Sequence, residues 1–303
     1  MPSRPWQIPQ FLLSWYRSTS LANQLLRQYQ PDGVLGMGGF AAGPLVRAAA
    51  KAGIRTALLN PDSVPGKANR YLAKIVDKIF LQWPTNQLPA DKCVVSGCPV
   101  RESVVCAKGA NVFDQYGLDK NKMTVLVTGA SQGSASINRT IIACLSMMSE
   151  FADRWQVLHL AGANSEHEVR TAYQQANPQI NWKVLGYEDR MGELLAAADL
   201  VISRAGASSV AEFMAAGKVC ILYPYPHHRD RHQLINANHV AAAGSAIVLE
   251  DLLDQSENAA QLCPILRTLI GDGQTYEKMA AAALRIRSHD AANIVAKYLL
   301  NAS

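Results

Sequence analysis

Ten short apolar runs, most of them separated by helical patterns, constrain the fold of this chain more than any other feature. GVLG (33–36), TALL (56–59), KIFLQ (78–82) and CVVSG (93–97) come first. TVLVTG (124–129), WQVLHLAG (155–162), WKVLGY (182–187), LVISRAG (200–206), VCILYPYP (219–226) and SAIVL (245–249) follow. Runs of this length bounded by Gly, Pro or polar residues read as strands, and the intervening stretches as crossover helices. Because the runs are almost continuously apolar rather than alternating, both sheet faces are expected to be covered, which is the condition of a parallel sheet between helices. The fold class read from this rhythm is α/β, with doubly wound Rossmann-like domains.

The polar stretch 100–123, just ahead of the strongest strand-turn-helix signal, places a domain boundary near residue 100. The expected layout is a first domain over 1–100, a second over 101–285, and a C-terminal helix over 286–303 packing back on the first. That helix closes an Ala-rich region with a break expected near Ser288-His289-Asp290. A chain of 303 residues, 49% hydrophobic and 17% charged, can bury two cores. No window approaches the roughly 18 uninterrupted apolar residues of a spanning helix, and MPSRPWQIPQ is not a secretory leader. Six scattered cysteines without a C-x-x-C pair read as reduced, cytosolic thiols. Residues 1–100 carry 11 Lys and Arg against 4 Asp and Glu, net +7, while the remainder has 18 against 20, net −2, so the basic half should face something anionic. The first domain opens with a Pro-rich lead and a helix over about 10–29, where a doubly wound domain opens with a strand and a glycine turn. It is therefore expected to be N-terminally short.

Four segments carry chemistry, each with a plainer alternative. Gly36-Met37-Gly38-Gly39 lies between a strand and a helix, where bare amides could meet a phosphate, but the same cluster makes a tight turn. Gly129-Ala130-Ser131-Gln132-Gly133-Ser134 follows a second strand. It lacks the Lys-Ser/Thr of a P-loop, and Ser134 could simply cap the next helix. In Ala207-Ser208-Ser209-Val210-Ala211-Glu212, Ser208 and Glu212 share a helix face suited to a diphosphate and a ribose diol. Ser209-x-x-Glu212 also spells a capping box, which spacing alone favours. The loop Pro224–Gln233 holds His227, His228 and His232 without a metal-ligand spacing, so the expected metal set is none. Lys67, Arg70, Lys74 and Lys78 would form one basic helix face if the helix extends that far, a pattern that usually marks a solvated surface. Trp6, Ile8, Phe11, Leu12, Leu13, Trp15 and Tyr16 beside Arg4 and Arg17 have the composition of an interfacial anchor, with core packing as the competing account.

In order along the chain, GMGGFAAGP, PGKANRYLAK, GCPVR (97–101), GASQGSASIN and GASSVAEFMAAGKVCILYPYPHHRDRHQLINA resemble the MurG family, from about residue 30 to about 250. The resemblance implies a GT-B architecture, two Rossmann-like domains with the active site in the cleft. It further implies an inverting transfer of N-acetylglucosamine from UDP-N-acetylglucosamine to the muramoyl-pentapeptide diphospho-undecaprenol lipid, in peptidoglycan synthesis and hence cell shape and division. Carried over, Ser131 and Ala207, Ser208, Ser209, Val210 and Ala211 would meet the donor diphosphate and ribose, with Glu212 accepting from the ribose hydroxyls. Arg101 would lie near the donor, and Gln233 on its sugar. Gly36, Gly38 and Gly39 would receive the acceptor diphosphate, with Asn69 nearby. No cofactor or nucleic acid is implied. The expected partners are the two substrates, an anionic membrane surface and other cell-wall synthesis proteins, at the cytoplasmic face of the inner membrane. The family's opening G-G-T-G-G-H loop, with its histidine base, has no counterpart here, so an upstream segment is expected. Asp62 stands where the family has an Asn, and is the one candidate base. Two other readings stay open: a non-catalytic UDP-sugar-binding or partner subunit, and another GT-B enzyme such as a glycolipid synthase or a UDP-N-acetylglucosamine epimerase.

Overall fold

A computed structural model of the chain describes Trp6 and residues 8–129, 133–287 and 290–300. The chain divides into two compact units, one formed by Met1–Pro99 with Asp290–Ser303 and the other by Val100–His289.

The first unit begins with helix α1 (Ile8–Tyr29). Strands β1 (Gly33–Gly36), β2 (Arg55–Asn60), β3 (Lys78–Leu81) and β4 (Cys93–Val95) follow, with α2 (Gly43–Lys51) and α3 (Lys67–Leu72) joining the first three. All four pair in parallel in the order β1-β2-β3-β4. Parallel pairing sends each connection across a sheet face, so the alternate residues of β2 both find apolar cover. Leu58 packs with Ala22 and Leu26 of α1 and Val46 of α2, while Ala57 and Leu59 face the other way with Phe80. Where β1 passes under α2 the packing is tight, since a Cβ on Gly36 would stand 2.7 Å from Leu58 Cδ2 and 2.9 Å from Val46 Cγ2 and force these side chains to shift.

The basic stripe does not form. Register pairs Ala57 with Lys78, so the chain must already be extended by residue 78, and α3 stops at Leu72. Lys67 and Arg70 lie on α3 and Lys78 in β3, and the Arg70 guanidinium donates to Pro65 O at 2.9 Å and Gln87 Oε1 at 2.7 Å. The aromatic lead divides between the two accounts given for it. Trp6, Leu12, Leu13 and Tyr16 are exposed, whereas Phe11 and Trp15 are half-buried with rings 6.0 Å apart, and Trp15 closes on Gly43. The Ile8 side chain and Arg4 lie outside the described residues.

The second unit opens with α4 (Glu102–Val105) and α5 (Ala110–Tyr116). It alternates β5 (Met123–Thr128), α6 (Ala135–Met148), β6 (Trp155–Leu160), α7 (Glu166–Ala176), β7 (Asn181–Leu185), α8 (Met191–Ala197), β8 (Leu200–Ser203), α9 (Ala207–Ala215), β9 (Val219–Leu222), α10 (His232–Ala242) and β10 (Ala246–Val248). Helices α11 (Gln255–Gly271) and α12 (Gly273–Arg285) close it. Its six strands are parallel in the order β10-β9-β8-β5-β6-β7, the doubly wound order with the chain reversing direction across the sheet at β5. One face carries Val125, Val157, Ile202 and Ile221 against α6 (Ile137, Ile141, Leu145) and α11 (Leu262, Leu266).

The chain then returns to the first unit as α13 (Ala291–Leu300); α12 ends at Arg285, so the two helices are separate on either side of the expected break near Ser288-His289-Asp290, of which residues 288 and 289 lie outside the described residues. Helix α13 covers the sheet face opposite α1 and α2. Val295 packs with Ala57, Leu59 and Phe80, the Tyr298 ring meets Phe80 edge-on at 5.6 Å, and Arg55 Nη1 donates to Tyr298 O at 2.8 Å. Val295→Ala removes about two methylene equivalents from this layer and is expected to destabilise the first unit by roughly 1–2 kcal/mol, read as a lower urea midpoint at unchanged slope. Among the described residues no helix is long and apolar enough to cross a membrane.

Candidate functional site

Ligands of open α/β sheets sit beyond the carboxyl ends of the strands at the point where the winding reverses. In the second unit that point lies between β5 and β8, paired through Thr128 and Ser203. A helix starts beyond each strand, α6 after β5 and α9 after β8. The first-turn amides of such helices have no intrahelical acceptor and carry the positive end of the helix dipole, so the pair of N-termini attracts an anion.

Just before α6, position 133 is sterically fixed. Gly133 has φ 75°, and a Cβ there would stand 2.3 Å from Ala161 O, so only glycine fits there against the end of β6. Ser134 caps α6, accepting from Ile137 N at 3.4 Å. Ser131 lies outside the described residues. Arg204, at the end of β8, reaches across the switch point, its Nη2 donating to Ser134 Oγ at 2.8 Å and its Nη1 to Tyr223 O at 3.2 Å. The same Nη1 lies 2.7 Å from Asp251 Oδ2 in a buried ion pair. One guanidinium thus joins the ends of β8 and β9, the cap of α6 and the segment after β10.

The capping box expected at Ser209 and Glu212 does not form. Gly206, extended at φ −64° and ψ 141°, starts α9 one turn earlier, so Ser209 is inside the helix. The Glu212 carboxylate turns instead to Arg101, with Nη2 to Oε1 at 3.1 Å. Ala207, Val210 and Ala211 are buried, leaving them only backbone to offer a ligand, while Ser208 is exposed. Arg101, Ser209 and Glu212 line one cavity of about 190 Å³, whose opposite wall is Tyr187, Glu188 and Asp189 after β7. That wall is loop and carries no periodic signal. Glu188 fixes it by accepting from the Arg190 side chain and backbone N and from Tyr116 OH. Chiefly through Arg190, these bonds hold the Glu188 carboxyl down at about 2.

Gln233, at the start of α10, accepts from Tyr225 N at 2.9 Å through Oε1 and so shapes the loop after β9. In that loop the His228 and His232 rings stack at 4.3 Å, and His232 Nδ1 lies 2.7 Å from Asp230 Oδ1. Among the described residues no group of three or more His, Cys, Asp or Glu could hold a metal ion.

In the first unit, Gly38, Gly39, Asp62 and Asn69 line a cavity of about 250 Å³. Gly36, expected beside the ligand, is not part of its wall and serves the β1–α2 packing instead. Asn69 is buried, its Nδ2 donating to Asn60 Oδ1 at 2.9 Å, and among the described residues its Oδ1 has no hydrogen-bond partner. Asn60 in turn donates to Asp62 O at 2.7 Å, which holds the Asp62 segment over the cavity.

Residues 124–295 match the glycosyltransferase family 28 C-terminal domain and residues 2–81 its N-terminal domain. The UDP-N-acetylglucosamine--N-acetylmuramyl-(pentapeptide) pyrophosphoryl-undecaprenol N-acetylglucosamine transferase of Halothermothrix orenii is 35% identical over 284 residues, 91% of this chain and 76% of that protein. The transferase of the same name from Bacillus licheniformis is 35% identical over 270 residues, 88% and 72% of the two chains. Among solved structures, MurG of Acinetobacter baumannii aligns with a TM-score of 0.75 at 24% identity, covering 95% of this chain and 79% of that one. The UDP-GlcNAc 2-epimerase of Neisseria meningitidis aligns at 0.70 and 18%, covering 99% and 83%, which shows a shared fold. With both domain models in sequence order, the chain belongs to glycosyltransferase family 28 and, by its similarity to these transferases, to the MurG family within it.

Proposed function

We propose that the chain transfers N-acetylglucosamine from UDP-N-acetylglucosamine to muramoyl-pentapeptide diphospho-undecaprenol, inverting the anomeric carbon. The relatives' names supply donor and acceptor, and the observation that carries the donor half is the pair of helix N-termini at the β5–β8 switch point. On this reading the first-turn amides of α6 and α9 face the diphosphate. As the bond from the anomeric carbon to UDP breaks, charge builds on the diphosphate, and preoriented N–H groups stabilise it most at that moment. Glu212 accepts from the ribose hydroxyls, exchanging its exposed partner Arg101 for the ligand, and the cavity wall at Tyr187–Asp189 takes the nucleoside.

The first unit takes the acceptor at the Gly38–Gly39 turn, with Asp62 as the base that receives the proton of the attacking hydroxyl. Positioned proton transfer of this kind is worth about 100- to 10,000-fold in rate. The Oδ1 of Asn69, without a hydrogen-bond partner among the described residues, is an acceptor, so it suits a hydroxyl or amide of the muramoyl moiety and leaves the diphosphate to the turn's backbone amides. The exposed Leu12, Leu13 and Tyr16 of α1 and the unit's basic balance support peripheral binding to an anionic membrane, at the cytoplasmic face where the lipid acceptor resides. The double substitution Leu12→Glu and Tyr16→Glu is expected to weaken binding to phosphatidylglycerol vesicles by about 10-fold or more in sedimentation assays.

The test of the reaction is transfer of labelled N-acetylglucosamine to a lipid-linked muramoyl-pentapeptide diphosphate by the 303-residue chain. A β-linked disaccharide lipid is the expected product. Epimerised sugar without lipid product, or UDP binding without turnover, would replace the proposal with an epimerase or a binding subunit.

A further inference from the structure

We propose that Cys144 and Cys263 form a dithiol that low-molecular-weight disulfides convert to an intramolecular bridge, a modification site separate from both substrate sites. The two residues are 119 positions apart in sequence, yet their Sγ atoms lie 3.1 Å apart, one on α6 and the other on α11. The approach is built into the helix pair. Near the start of both helices, Asn258 Nδ2 donates to Ser136 Oγ at 3.3 Å and to Asp251 Oδ1 at 2.9 Å, which sets their register. Further along, Ile141, Leu145, Leu262 and Leu266 pack into one core between them. The sulfurs are therefore held facing each other, and closing to the roughly 2.05 Å of a disulfide needs about 1 Å of movement.

The two thiols are unequal, which gives the exchange a direction. Cys144 is fully buried, whereas Cys263 is half-buried. The shared hydrogen bond and burial both push Cys144 up. The hydrogen bond to Cys144, and after it Arg267 one turn along α11, pull Cys263 down. Cys263 is thus the more accessible and the more readily ionised of the two, and the thiolate is the attacking species. It displaces RS⁻ from a disulfide RSSR, forming a mixed disulfide. Cys144 then gives its proton to the released thiolate, or to water, and attacks the Cys263 sulfur. The second RS⁻ leaves and is protonated, so the balance is one RSSR consumed, one protein disulfide formed and two RSH released.

The experiment incubates the folded chain with hydroxyethyl disulfide, quenches with acid and maps the peptides by mass spectrometry. The expected result is a loss of about 2 Da, a Cys144–Cys263 linked peptide and a fall in titratable thiols of the denatured chain from six to four. The bridge closes a long loop, so the unfolding midpoint of the oxidised second unit should rise by roughly 5–10 °C. Cys144→Ala should stop at a stable adduct on Cys263. Six thiols after treatment, a lasting adduct on Cys263 in the unmodified sequence, or bridges through Cys93, Cys98, Cys106 or Cys220 instead would each overturn the proposal. All of these readouts are independent of transferase activity, so failure of the functional reading would leave the dithiol untouched.

Discussion

Replacing Arg204 by methionine is expected to destabilise the second unit by about 3–5 kcal/mol, the cost of leaving a buried partner charge uncompensated. Asp251 is completely buried in its side chain, and its Oδ1 accepts from Ser136 Oγ at 2.6 Å, Asn258 Nδ2 at 2.9 Å and Leu253 N at 3.0 Å. Burial alone would raise its carboxyl, but these bonds, with Arg204, hold it below the ordinary aspartate range. A carboxyl depressed on folding contributes stability that is present above its unfolded pKa and is lost as pH falls through the folded one. In urea titrations the gap between the native sequence and Arg204→Met should therefore be widest near neutrality and shrink on acidification. Adding Asp251→Asn to Arg204→Met should recover part of the loss, because the stranded charge is gone. A double variant no more stable than the single one would show that Arg204 acts through packing. Donor binding should fall as well, since the same guanidinium holds the Ser134 cap of α6.

Glu212→Gln should leave stability almost unchanged and weaken UDP-N-acetylglucosamine binding by about 10- to 150-fold. The first half follows from exposure. Arg101 is 59% exposed in its side chain, and an ion pair of that kind is worth about 0–1 kcal/mol. The second follows from chemistry: hydrogen bonds to a charged acceptor are worth about 1.5–3 kcal/mol, whereas an amide of the same shape accepts more weakly. Calorimetric titration together with a thermal melt separates the two. A large drop in melting temperature with intact affinity would make Glu212 a structural residue of α9.

The strands were legible because burial on both faces leaves a continuous apolar run, a signal that survives without knowledge of neighbours. All ten runs became parallel strands, within a few residues at their ends. Helix ends were harder. The stripe Lys67 to Lys78 has perfect helical spacing, but pairing of β3 with β2 overrode it, and Ser209-x-x-Glu212 has capping spacing, but Gly206 had already started the helix. Local patterns state what a segment can do, and tertiary register decides. The site divides the same way. Helix starts at glycine turns were readable from order along the chain, whereas the Glu188 wall, the reach of Arg204 to Ser134 and the meeting of Cys144 with Cys263 join residues 70 or more positions apart. No spacing rule sees such contacts.

The position of α13 also orders the birth of the molecule. Elements α4 to α12 are contiguous, so the second unit has everything it needs before residue 290 is made. The sheet of the first unit does not, because Ala57, Leu59 and Phe80 wait for Val295. At about 5–20 residues per second, translation of the intervening stretch leaves that apolar face bare on the ribosome for roughly 10–40 s. The unit whose strands emerge first is thus the one that matures last, and any chaperone serving this chain would find its substrate there.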